Sequence, residues 1–122
     1  MKLRIKGNSL RLRLTRSEVE KFCSSGYLED RISFGTGELL YSLTSSDKVK
    51  EISAGFSGSM ISVIMPLALI NGWQSNEIVG FDSYMTISGK EKLYILIEKD
   101  FQCLESTEED QSDNYENPNK NC

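Results

Sequence analysis

Charged and apolar residues alternate without interruption through Lys2-Leu3-Arg4-Ile5-Lys6, and again through Leu10-Arg11-Leu12-Arg13-Leu14. A period of two places successive side chains on opposite faces of a strand, so each segment reads as a half-buried β-strand. Gly7-Asn8-Ser9 between them supplies turn chemistry, because Gly and Asn tolerate positive φ. The two segments are expected to form a β-hairpin with Leu3, Ile5, Leu10, Leu12 and Leu14 facing inward. Its outer face would carry Lys2, Arg4, Lys6, Arg11 and Arg13.

The strand rhythm returns after one interruption. Thr15-Arg16-Ser17-Glu18 has the spacing of a capping box, in which a Thr hydroxyl and a Glu carboxylate satisfy each other's backbone N–H groups. Val19, Phe22 and Cys23 follow at helical spacing, and Gly26 is placed to end the helix. Strand patterns then cover residues 28–34, 39–43, 49–56 (with Ile52, Ala54 and Phe56 on one face), 60–65, 78–87 and 93–97. The runs are separated by Gly35-Thr36-Gly37, Thr44-Ser45-Ser46-Asp47, Gly58-Ser59 and Ser88-Gly89-Lys90. Turns every eight to twelve residues are the rhythm of a meandering antiparallel sheet. Pro66 would break a central strand, which favours a short helix over 66–73. The competing reading makes Asn71-Gly72 a hairpin turn. Residues 93–97 are nearly all apolar and suit a central strand.

The expected fold is α+β: a mainly antiparallel, curved or barrel-like sheet of seven or eight strands, one helix in the N-terminal half and one short helix. With 122 residues the chain forms one domain and needs no disulfide or metal to fold. The composition changes after Leu104. Residues 105–114 contain no apolar side chain, so 1–104 is read as the domain and 105–122 as an acidic tail folded back on or tethered to it.

Absent residues narrow the chemistry. The chain has no histidine, which removes Ser-His-Asp and Cys-His nucleophiles and all His-ligated metal sites. The three cysteines, Cys23, Cys103 and Cys122, lack the close pairs of a structural zinc site, and their odd number and wide spacing suit reduced thiols in the cytoplasm. No cofactor and no metal are expected. No signal-peptide pattern opens the sequence, and the apolar run at 60–70 is too short to span a bilayer, so no membrane partner is expected.

The net charge of −4 hides an asymmetry: residues 1–21 carry +5 and residues 98–122 carry −6. Cations from a two-stranded ribbon could hold phosphates, and the acidic tail could compete for them within the molecule. No aromatic is interleaved among the hairpin's bases, which leaves the hairpin without a stacking platform and makes nucleic acid an unexpected partner. Glu98 and Asp100 would share one strand face, an arrangement that acid–base or metal chemistry could use, although exposed charges commonly finish a strand. Asp110, Asp113 and Glu116 lack the alternate spacing and the Gly of an EF-hand. Gly35-Thr36-Gly37 has no following Lys-Ser/Thr and resembles a phosphate loop only on its surface.

Several strings act together as a signature: Arg4-Ile5-Lys6-Gly7-Asn8-Ser9-Leu10-Arg11-Leu12-Arg13-Leu14-Thr15, Glu77-Ile78-Val79-Gly80-Phe81, Glu98-Lys99-Asp100-Phe101-Gln102-Cys103-Leu104, and the acidic Glu109-Asp110-Gln111-Ser112-Asp113 run with Asn117-Pro118. They resemble a family of small bacterial proteins of unknown function, over nearly the whole chain. In that family a proline precedes the Asn-Pro pair, where this chain has Glu116. The resemblance implies that the acidic tail belongs to the module. The expected function is a small cytosolic binding or accessory module, engaging a protein or anionic ligand through Lys2, Arg4, Lys6, Arg11 and Arg13. The alternative is a metal-assisted enzyme acting on a phosphorylated small molecule through Glu98, Asp100 and tail acids.

Overall fold

The computed structural model describes residues 1–101 and 113–116. The alternating segments form strands: β1 (Lys2–Lys6), β2 (Ser9–Leu14), β3 (Tyr27–Ser33), β4 (Glu38–Ser46), β5 (Ser53–Ser57), β6 (Met60–Pro66), β7 (Gly80–Ser88) and β8 (Glu91–Lys99). Between β2 and β3 lies helix α1 (Arg16–Ser25). Its capping box is complete: Thr15 Oγ1 accepts from the Glu18 N–H, and Glu18 Oε1 accepts from the Thr15 N–H at 2.9 Å. Gly26 ends it at φ 75°, its N–H donating to the Phe22 carbonyl. A side chain there would be strained, and its Cβ would lie 2.8 Å from Ser45 Oγ.

The expected single sheet is instead two sheets of four strands, ordered β1-β2-β8-β7 and β3-β4-β6-β5, and neither closes into a barrel. Each sheet joins two antiparallel hairpins through their second strands, which run parallel: β2 with β8, and β4 with β6. A meander would pair neighbouring hairpins along the chain. Burial selects the other solution, because each hairpin has one apolar face that needs a facing sheet. Leu10, Leu12, Leu14, Ile95 and Ile97 from the first sheet and Leu28, Leu43, Val63 and Met65 from the second belong to one buried cluster.

Parallel second strands place the turns of both hairpins in each sheet at the same end. The opposite end is closed by α1, which carries the chain between the sheets and buries Val19 and Phe22. Two short 3-10 turns, Leu67–Ile70 and Trp73–Ser75, complete this end. The single short helix expected over 66–73 is instead two turns, and Pro66 is not its first residue: it ends β6 opposite Ser46, where the strand stops and the first turn begins. Trp73 is fully buried, its indole N–H donating to the Ile78 carbonyl at 2.8 Å.

Other local expectations shift. Residues 48–52 lie outside β5, which starts at Ser53. Ile5 lies on the inward side of β1, opposite Leu10, yet is 61% exposed, and Phe56 is 70% exposed. Both sit near the turn end, where a cavity of about 270 Å³ lined by Ile5, Leu10, Phe56, Ile61 and Leu93 separates the sheets. No helix among the described residues is long and apolar enough to cross a membrane.

One backbone contact is closer than any side chain would permit. A Cβ on Gly80 would lie 2.5 Å from the Ile97 carbonyl oxygen and 2.8 Å from Glu98 Cβ. Gly80→Ala must spread β7 from β8, and we expect a loss of about 1–3 kcal/mol of stability in urea unfolding. An unchanged midpoint would mean that the strands do not approach this closely in solution.

Candidate functional site

Pairing fixes which side chains share the outer face of the first sheet. Reading across β1, β2, β8 and β7, one row is Lys6, Ser9, Tyr94 and Tyr84. The next is Arg4, Arg11, Leu96 and Asp82, and the third is Lys2, Arg13, Glu98 and Gly80. All five expected cations therefore stand on one face.

Their charge is unequally compensated. Arg13 Nε donates to Glu98 Oε1 at 2.6 Å, and Arg11 Nη2 lies 3.7 Å from Glu98 Oε2. Lys2 Nζ lies 2.9 Å from Asp100 Oδ2. Arg4 and Lys6 have no carboxylate within ion-pair distance among the described residues. Arg11 adds a second unmet demand, since its Nε is shielded from solvent without an acceptor. A shielded donor left unpaired costs more than an ordinary hydrogen bond returns.

Glu98 stands on the outer face and Asp100 lies just beyond the end of β8, and each already faces a cation. Among the described residues no group of three or more Cys, Asp or Glu side chains is arranged to hold a metal ion. Gly35-Thr36-Gly37 is the tight connection of the β3–β4 hairpin, leading into a strand.

The described part of the tail goes to the helix end of the molecule. Asp113 Oδ2 accepts from the Ser17 hydroxyl at 2.5 Å, and the Asp113 carbonyl accepts from the Arg16 N–H at 2.9 Å. The Ser17 hydroxyl, with help from Thr15, holds the Asp113 carboxyl below its usual range. Tyr115 forms a parallel bridge with Phe101, and its ring lies under Arg16 and Lys99. Lys99 is buried, with Nζ donating to the Asn76 carbonyl at 2.8 Å; burial pushes its pKa down. Glu116 is exposed. Asp110, Cys103 and Cys122 lie outside the described residues. Cys23 packs against the core and donates to the Ile70 carbonyl, beside a cavity of about 620 Å³.

Sequence reasoning missed two residues of the outer face. Tyr84 is 67% exposed, and its ring centroid lies 4.9 Å from that of Tyr94. The Tyr94 hydroxyl donates to Asp82 Oδ2 at 2.8 Å, which fixes the ring and, as the main cause, raises the phenol's pKa. The local signal was the alternation of Asp82 and Tyr84 with Phe81 and Met85. Nothing local, however, places them beside residues 4–11.

The Met1 ammonium binds Glu18 and Asp30, tying the hairpin to the capping box and to β3. Burial alone would lower its pKa, but the hydrogen bonds to Asp30 and Glu18 outweigh burial and raise it above 8.0. A raised folded pKa stabilises fully below the unfolded value and loses that contribution as pH climbs through the folded one. Burial lowers the Lys99 pKa, so its titration acts in the opposite sense. Comparison with an N-terminally acetylated chain isolates the ammonium. The acetylated chain should unfold at lower urea at pH 7, and the gap should close as pH rises well above 8. Equal midpoints at pH 7 would show that the ammonium contributes nothing.

No curated protein and no solved structure matches the chain. A family model does match, over residues 1–119. The chain belongs to that family, DUF7009, a family of unknown function.

Proposed function

We propose that the protein is a small binding module that captures an anionic ligand on the outer face of β1, β2, β8 and β7. One observation carries this reading: Arg4, Lys6 and Arg11 stand side by side on an open sheet face, and the first two have no carboxylate within reach among the described residues. Desolvating fixed cations is least costly where an anion replaces the water, so such a cluster favours phosphate or carboxylate oxygens. Arg13 and Lys2 form the inner rim of the site. Their partners Glu98 and Asp100 hold the cationic rows in place.

The metal-assisted alternative asks Glu98 and Asp100 to leave these ion pairs and share a cation. In a partly buried setting that would strand Arg13 and Lys2, and losing one member of such a pair costs more than exposed pairs do. The pairs thus support the binding reading over catalysis. The widely spaced cysteines suit a reducing, cytoplasmic setting.

Inorganic tripolyphosphate is a suitable probe. At low salt it should raise the thermal midpoint of the protein, since any ligand selective for the folded state stabilises it by mass action. The double variant Arg4→Glu, Lys6→Glu should abolish that rise while unfolding normally without ligand. Glu98→Gln should act oppositely: with Arg11 and Arg13 released, it should tighten tripolyphosphate binding severalfold while costing about 1–2 kcal/mol of stability. A thermal midpoint indifferent to tripolyphosphate, at concentrations up to the millimolar range, would end the proposal.

A further inference from the structure

The geometry points to single-stranded nucleic acid as the ligand of this face. The inference rests on the anion-binding reading above and adds what the cations alone do not explain, the two tyrosines in the same rows.

A nucleotide strand repeats two chemical features at a fixed offset, an anionic phosphate and a flat π face. A surface that follows it needs cations along one track and exposed rings along another. This face has both. Lys6 and Tyr84 close the two ends of one row, on edge strands β1 and β7, with Ser9 and Tyr94 between them. Three strand spacings separate the ends, about 14 Å. The outer cationic track is Arg4 and Lys6, with Arg11 behind them on β2. The aromatic track is the exposed Tyr84 ring with half-buried Tyr94 beside it.

Charge sets the orientation. Asp82 lies beside the tyrosines, so a phosphate is repelled from the β7 side and drawn to the β1–β2 side. Bases then fall over β8 and β7, where the Asp82 carboxylate offers an acceptor to a base N–H such as N3–H of uracil. Tyr94 is braced by Asp82 and by ring contact with Tyr84, so the platform exists before the ligand arrives. An exposed tyrosine on the outer face of an edge strand adds nothing to the core, whereas base stacking on such a ring contributes to affinity. Four-stranded sheets with exposed aromatics hold two or three bases in this manner. An acidic polypeptide would use the cations equally well but has no need of Tyr84, which is why the nucleic-acid reading is favoured.

The test is fluorescence anisotropy of the full chain with a short labelled oligouridylate, run beside tripolyphosphate and polyglutamate. The wild-type protein should bind the oligonucleotide, with a salt slope of about −2 if Arg4, Lys6 and Arg11 each meet one phosphate. Tyr84→Ala should weaken binding roughly 5- to 150-fold, the range for losing one stacked base, and leave the salt slope unchanged. Tyr84→Phe keeps the ring and should keep the affinity. Tyr84 is exposed, so neither variant endangers folding. If Tyr84→Ala binds like wild type, or the oligonucleotide fails while tripolyphosphate binds, the face is an anion site alone and the inference is overturned. Polyglutamate binding as tight as the oligonucleotide and insensitive to Tyr84 would make it an acidic-protein surface, and would equally overturn it. If none of the three polyanions binds, the anion-binding reading falls as well.

Discussion

The parallel pairing of β2 with β8 is the interaction on which the rest of the structure depends. It joins Ser9–Leu14 to residues 94–99, and so holds the first and last hairpins in one sheet. The equivalent pairing of β4 with β6 organises the second sheet in the same way. Parallel partners cannot be joined by a tight turn, so each pairing forces the intervening chain to travel. Between β2 and β8 that route includes α1 and the entire second sheet. The molecule acquires two unlike ends as a result: one made of hairpin turns, one made of helix, short helical turns and the described tail residues. Contacts so distant in sequence close slowly, and folding should be limited by this pairing.

The same pairing sets the electrostatics. Glu98 reaches Arg13 because residues 13 and 98 are register partners across β2 and β8. Lys2 then meets Asp100 one strand further on. Two of the acids that gave the sequence its negative C-terminal half are thereby spent on cations of its positive N-terminal half. Part of the asymmetry of charge along the chain is thus an internal pairing in space. Among the described residues it is incomplete at Arg4 and Lys6, and that shortfall marks the face proposed to bind an anion. At the opposite end Asp113 meets Ser17 and the first turn of α1, where a carboxylate also complements the helix dipole.

Local elements were legible where one short stretch contained all the determinants. The β1–β2 hairpin, the Thr15–Glu18 capping box, the Gly26 stop and the helical turn after Pro66 each depend on residues within a few positions of one another. Alternation also named the faces: the cations of β1 and β2 share a side, and Leu10, Leu12 and Leu14 share the other. It failed at Ile5, whose inward direction does not bury it, because burial needs a facing element and the sheets separate at that end. Tyr84 and Tyr94 were illegible as a pair with Lys6, since their proximity depends on a partner strand some eighty residues away.

What the sequence by itself determined is therefore the strands, the helix, the turns and the two-sided character of each hairpin, all consequences of side-chain periodicity and backbone preference. Only the tertiary structure decided how many sheets form, which strands run parallel, and which charges cancel. Periodicity states that a strand has an apolar face but not which other face will cover it. That choice belongs to the packing of the whole core, where Leu12, Leu43, Val63 and Ile97 are buried together. The outer face with its cations and neighbouring tyrosines is a by-product of that packing, set by hydrophobic burial on the opposite side of the same strands.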